Sequence, residues 1–170
     1  LVVTSPPYCT RVDYVASASL ALAALGIGQG SEEYIALRRA TMGTPLVDRG
    51  SPAAIPSDWP ESVRRLLHRV RGHKSADSKS YYYKTYRGYF GDAQESVAEI
   101  KRILRPGGAA VVVVQSSYYK EVEVDLPGLY VDIGAGMGLR SSVISENRVT
   151  KSLTQINKRS SVYRCATEYR

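Results

Sequence analysis

The 170-residue sequence predicts an α/β fold with a mostly parallel sheet and flanking helices. Three observations carry this. Leu1-Val2-Val3 is a short apolar run that stops at two prolines, the pattern of a buried strand end. Ala109 to Val114 is a second continuous apolar run, rich in β-branched residues, which suits a strand covered on both faces. Between the two lie stretches of helical periodicity, so the strands form a right-handed parallel crossover unit. Ligands in such sheets bind beyond the carboxyl ends of the strands.

The elements follow in chain order. Tyr14 to Leu25 is Ala- and Leu-rich and reads as a helix, broken by Gly26 to Gly30. Ser31-Glu32-Glu33 starts another, with Ser31 as N-cap and acids in the first turn. It runs to about Met42 and stops at Gly43-Thr44-Pro45. Residues 44–60 hold four of the eight prolines and form a loop. Val63, Leu66, Leu67 and Val70 recur at helical spacing, with Arg64, Arg65, His68, Arg69 and Arg71 on the opposite face. Residues 26–80 together form a variable helical and loop insertion. Tyr82, Tyr86, Phe90, Ala93, Val97, Ile100 and Leu104 trace the strongest helix, which ends at "LRPGG". The second core strand covers about 109–115 and ends in "QSSYY", where Gln115, Ser116 and Tyr118 are candidate pocket residues. Residues 139–149 and 161–167 read as two terminal strands joined by a polar turn.

Composition bounds the partners. Lys and Arg number 23 against 16 Asp and Glu, a net charge of +7. That balance favours a polyanion, chiefly nucleic acid. The candidate phosphate contacts are Arg11, Arg64, Lys74, Lys120, Lys158 and Arg159. Thirteen tyrosines against one Phe and one Trp supply rings suited to wet surfaces and base stacking. The two cysteines, Cys9 and Cys165, make neither a disulfide framework nor a metal set, and the histidines lack metal-ligand company. A reducing cytoplasm is the expected location, no metal is expected, and no apolar run reaches membrane-spanning length.

The first strand ends in Ser5-Pro6-Pro7-Tyr8. A Pro-Pro pair fixes the direction of the Pro6 carbonyl. That carbonyl and the Ser5 hydroxyl can accept hydrogen bonds from one exocyclic amine, and Tyr8 can stack on the ring that bears it. Acceptors of this kind act by orientation and electrostatics.

"TSPPY" at a strand end resembles the catalytic motif of the amino-group DNA methyltransferases. The resemblance implies a Rossmann-like fold, S-adenosylmethionine as cofactor, and a base flipped out of duplex DNA. It assigns catalysis to Ser5, Pro6, Pro7 and Tyr8, places Thr4 and Ser5 beside the cofactor, and sets Arg11, Asp13 and Tyr14 at the pocket border. Ser5, where adenine-N6 members usually carry Asp or Asn, favours cytosine N4. "LRPGG" before "AAVVVV" is similar to the family's helix-to-strand turn, and "INKRSSVYR" to the turn between its last strands. The family's glycine-rich cofactor loop has one candidate here, "VDIGAGMG", with Asp132, Gly134 and Gly136. The Asp-Leu-Pro before it opens a helix instead, and that reading leads. The resemblance therefore covers the catalytic half of a methyltransferase domain, with the cofactor loop expected upstream of Leu1. The missing half of the same protein, or a second chain, would complete the sheet. The alternatives are a degenerate remnant that binds nucleic acid or a partner without catalysis, and an RNA amine methyltransferase of the same fold.

Overall fold

The computed structural model describes residues 1–10, 12–47, 50, 54–149 and 166–169. Strand β1 (Val2–Thr4) pairs in parallel with β2 (Ala110–Val112), with Val2 opposite Ala110 and Thr4 opposite Val112. Val113 alone separates β2 from β3 (Val114–Gln115). The strand therefore leaves β1 and passes to a new partner. That partner is β7 (Ala166–Tyr169), antiparallel to β3 and to β6 (Glu146–Val149). The pairings thus form two small sheets, β1–β2 and β3–β7–β6, that meet at Val113, and among the described residues only the β1–β2 pair is parallel, where the sequence predicts a mostly parallel sheet.

Among the described residues six α-helices accompany the strands: α1 (Tyr14–Ser17), α2 (Ser19–Ala24), α3 (Glu32–Ala40), α4 (Glu61–Gly72), α5 (Tyr83–Ile103) and α6 (Leu126–Gly136). Their starts are legible in side chains. Asp13 caps α1 by accepting from the Ala16 amide, Ser31 caps α3 through Tyr34, and Asp125 caps α6 through Gly128. A π-helical turn, Ser78–Tyr82, leads into α5.

The core lies between α4, α5, α6 and the short strands. Val63, Leu66, Leu67 and Val70 of α4 are buried, as their spacing predicts. They meet Tyr83, Tyr86, Phe90, Ala93 and Val97 of α5 in one apolar cluster. Thus α4, which falls inside the expected variable insertion, belongs to the core. Burying a Leu or Val side chain contributes about 1.5–3 kcal/mol, which is why this helix holds its place despite five cationic or imidazole side chains.

Three expectations change. The strand over 109–115 is only half-buried along β2. Val112 packs on the core, whereas Val3, on the opposite face of the parallel pair, is 67% exposed. Leu1, two residues before Val3, is 87% exposed as well. "QSSYY" does not simply end a strand: Ser117–Tyr119 (β4) turns at Lys120 and Glu121 into Val122–Val124 (β5), an antiparallel hairpin. Lys120 takes a left-handed φ of 53° there. The strand expected over 139–149 forms only at Glu146–Val149, because the Leu139 amide bonds back to the Gly134 carbonyl at 2.9 Å and folds the chain onto α6. Residues 150–165 lie outside the described residues, so the expected terminal turn there is not traced.

Candidate active site

The carboxyl end of β1 is the centre of the candidate site. The Thr4 carbonyl accepts from the Val113 amide at 2.9 Å, the last rung of the parallel pair. Ser5 is exposed, and its hydroxyl donates to the Val113 carbonyl at 3.2 Å. With its proton so directed, the oxygen's lone pairs face outward as acceptors. The two strand ends therefore meet side by side, as a parallel crossover requires.

The turn that follows is held at Pro7, Tyr8 and Cys9. The Tyr8 amide donates to the Tyr14 hydroxyl at 3.2 Å, and the Pro7 carbonyl accepts from the Tyr89 hydroxyl at 2.8 Å. The Cys9 carbonyl accepts from the Ser117 hydroxyl at 3.0 Å, which ties the β4–β5 hairpin to the same loop. Asp13, besides capping α1, takes two donors from Arg38 of α3, at 2.9 and 2.5 Å. Burial pushes the Asp13 carboxyl up, but the Ala16 amide and the Arg38 guanidinium outweigh it and hold the group below its usual value.

Behind the turn the environment is apolar. Cys9 is buried, and burial pushes its thiol far from the thiolate range. Burial also pushes up the hydroxyl of Tyr89, and that of Tyr130 to about 12, so both stay protonated. Gly43, at φ +74°, sits where an added Cβ would meet the Tyr89 ring at 3.4 Å. The left-handed φ is what favours glycine there, beside the Tyr89 ring. Burial raises the Asp92 carboxyl, against the pull of the Gly43 amide.

The residues expected from sequence are distributed as follows. Thr4 ends β1, and Ser5, Pro6, Pro7 and Tyr8 follow it in one continuous turn, with Asp13 and Tyr14 bracing it. Tyr89 and Ser117 were not singled out by sequence. The only signals were a place in the Tyr-rich stripe and a place beside Ser116. Arg64 is paired with Glu61 on its own helix, and both side chains are exposed. Lys74 and Lys120 gather near the hairpin tip, where Glu121 bonds His73 Nε2 at 2.8 Å and feels the Lys74 charge. The Ser75 amide donates to His73 Nδ1, which leaves the ring proton on Nε2. Arg11, Lys158 and Arg159 lie outside the described residues.

Asp132, Gly134 and Gly136 fall within α6, not in a loop between a strand and a helix. The Ser141 hydroxyl lies where a Cβ at Gly134 would sit, so that glycine lets the segment after α6 lie close against the helix. These residues do not form a cofactor loop. A cleft of about 600 Å³ lies between α4 and α6, lined by Arg65 and Arg69 on one side and Glu123, Asp125 and Asp132 on the other. Among the described residues no cluster of His, Cys, Asp and Glu is placed to hold a metal, and no helix is long and apolar enough to cross a membrane.

No family model matches the sequence, and no solved structure matches it. Two curated relatives do. They are the Type II methyltransferase M.AvaI of Nostoc sp. (strain PCC 7120 / SAG 25.82 / UTEX 2576) and that of Anabaena variabilis. Each is 24% identical over 149 residues, a match covering 81% of this chain and 30% of the relative. The chain is thus similar, along most of its length, to less than a third of a Type II methyltransferase.

Proposed function

We propose that this chain carries the amine-holding part of a DNA methyltransferase, one that moves a methyl group from S-adenosylmethionine to the exocyclic amine of a base, with cytosine N4 favoured over adenine N6. The observation that carries the reading is the braced turn at the end of β1, supported by the similarity to a Type II methyltransferase. The Ser5 hydroxyl and the Pro6 carbonyl accept from the two amine hydrogens and so orient the nitrogen. Tyr8 stacks on the ring. The target base enters by flipping out of the duplex. Cys9, buried and protonated behind the turn, is no covalent nucleophile, which fits direct transfer to an amine.

The described residues do not make a complete site for S-adenosylmethionine. Thr4 and Ser5 stand at the strand end where the donor would approach, but the one glycine-rich candidate is helical. The reading places the cofactor loop outside residues 1–170, either in the same protein or in a second chain. The uncovered face of β1 and the fraction of the relatives matched both support this. Cations at the hairpin tip, Lys74 and Lys120, are the described candidates for DNA phosphates, and the cytoplasm is the expected location.

The test is incubation of the full-length protein with isotopically labelled S-adenosylmethionine and duplex DNA, followed by mass spectrometry of the nucleosides. N4-methylcytosine is the expected product. N6-methyladenine would overturn the base preference. Label in RNA alone would favour the RNA reading, and DNA binding with no label at all would favour the inactive remnant.

A further inference from the structure

We propose that Tyr89 is a positioning residue for the amine-holding turn, acting through the Pro7–Tyr8 peptide; the inference rests on the function proposed above. A peptide unit is planar, so gripping its two polar ends fixes the whole plane. Both ends of this unit are gripped. Its carbonyl, on Pro7, accepts from Tyr89 of α5 at 2.8 Å, and its N–H, on Tyr8, donates to Tyr14 of α1 at 3.2 Å. The proline rings fix φ at Pro6 and Pro7 but leave ψ free. With the Pro7–Tyr8 plane held on one side, and the Thr4 carbonyl held by the Val113 amide on the other, the torsions left between them are confined, and with them the direction of the Pro6 carbonyl. The aim of the amine acceptor thus depends on a phenol from a helix more than 80 residues further along the chain.

Tyr89 is built for this task. It is 2% exposed, and its ring stands edge-on to Phe90 at 5.3 Å. A rigid donor from the core outlasts the fluctuations of a surface loop. Tyr14, more exposed and with the longer bond, is the weaker of the two grips.

The experiment compares Tyr89→Phe, Tyr14→Phe and Ser5→Ala with the unaltered full-length protein in single-turnover methyl transfer and in steady state. Tyr89→Phe keeps the ring and removes only the hydroxyl. The expected result is a transfer rate lowered roughly 10- to 100-fold, as misplacement of a reacting group produces. KM for DNA and the melting temperature should hardly move, and Tyr14→Phe should have a smaller effect. An unchanged rate in Tyr89→Phe, alongside a slowed Ser5→Ala, would overturn the positioning role and leave the proposed function standing. A rate that falls only in step with melting temperature or with KM would overturn it as well. If Ser5→Ala is also unchanged, or the protein transfers no methyl group, the reading of the turn fails and this inference with it.

Discussion

The brace of Asp13 and Arg38 behind the turn can be dissected quantitatively. Asp13 does two things: its carboxylate caps α1 through the Ala16 amide at 2.9 Å, and it pairs with Arg38. Asp13→Ala removes both, whereas Asp13→Asn keeps a good N-cap and removes the charge. An N-cap contributes about 1 kcal/mol. The ion pair sits at side-chain exposures of 27% and 20%, between the surface and buried limits, and two donors reach one oxygen, so about 1 kcal/mol is a reasonable value for it as well. Asp13→Ala should therefore lose about 2 kcal/mol and Asp13→Asn about 1 kcal/mol. In a chain of this length the former lowers the melting temperature by about 4–8 °C. A double-mutant cycle of Asp13→Asn with Arg38→Ala, followed by urea denaturation at pH 7, should give a coupling near 1 kcal/mol. Because the folded carboxyl lies below its usual value, its contribution is complete above the ordinary Asp range of about 4, and is lost as the pH falls through the folded value. The coupling should therefore shrink at low pH. Equal losses for Asp13→Ala and Asp13→Asn, or a coupling unchanged by acid, would refute the reasoning.

Other outcomes follow from the same contacts. Leu67→Ala, in a position with no exposure, should lose about 2–5 kcal/mol by denaturation, since the α4–α5 seam cannot collapse around the gap. Gly43→Ala puts a side chain at a left-handed φ, so it should destabilise by about 1–2 kcal/mol in urea denaturation. Ser116→Ala removes a buried hydroxyl that has no partner among the described residues, and should be neutral or stabilising by up to about 1 kcal/mol. Cys9 should resist iodoacetamide in the folded protein, followed by mass spectrometry of the modified peptide, and react on unfolding.

Periodic features were legible because burial itself writes them. The four apolar positions of α4, the long stripe of α5 and the caps at Ser31 and Asp125 all follow from side-chain spacing and local hydrogen bonding. The Asp-Leu-Pro start outweighed the glycine-rich look of residues 131–138, and the segment is helical. The β4–β5 hairpin was missed because "EVEV" is short and its turn carries Lys120 and Glu121 where Gly or Asn would announce a left-handed residue. Within the site, the Ser5–Tyr8 turn was readable from its prolines. Its braces were not, since Tyr89 and Ser117 lie 82 and 108 residues from the carbonyls they hold, and no local pattern encodes such a contact.

The most direct test of the account is single-turnover methyl transfer by full-length Ser5→Ala, with DNA affinity measured in parallel. The account predicts a transfer rate lowered by at least roughly tenfold with affinity for DNA nearly unchanged, because the hydroxyl orients the amine at the moment of transfer and contributes little to holding the duplex. A variant as fast as the unaltered protein, or one whose loss lies wholly in DNA affinity, would contradict it.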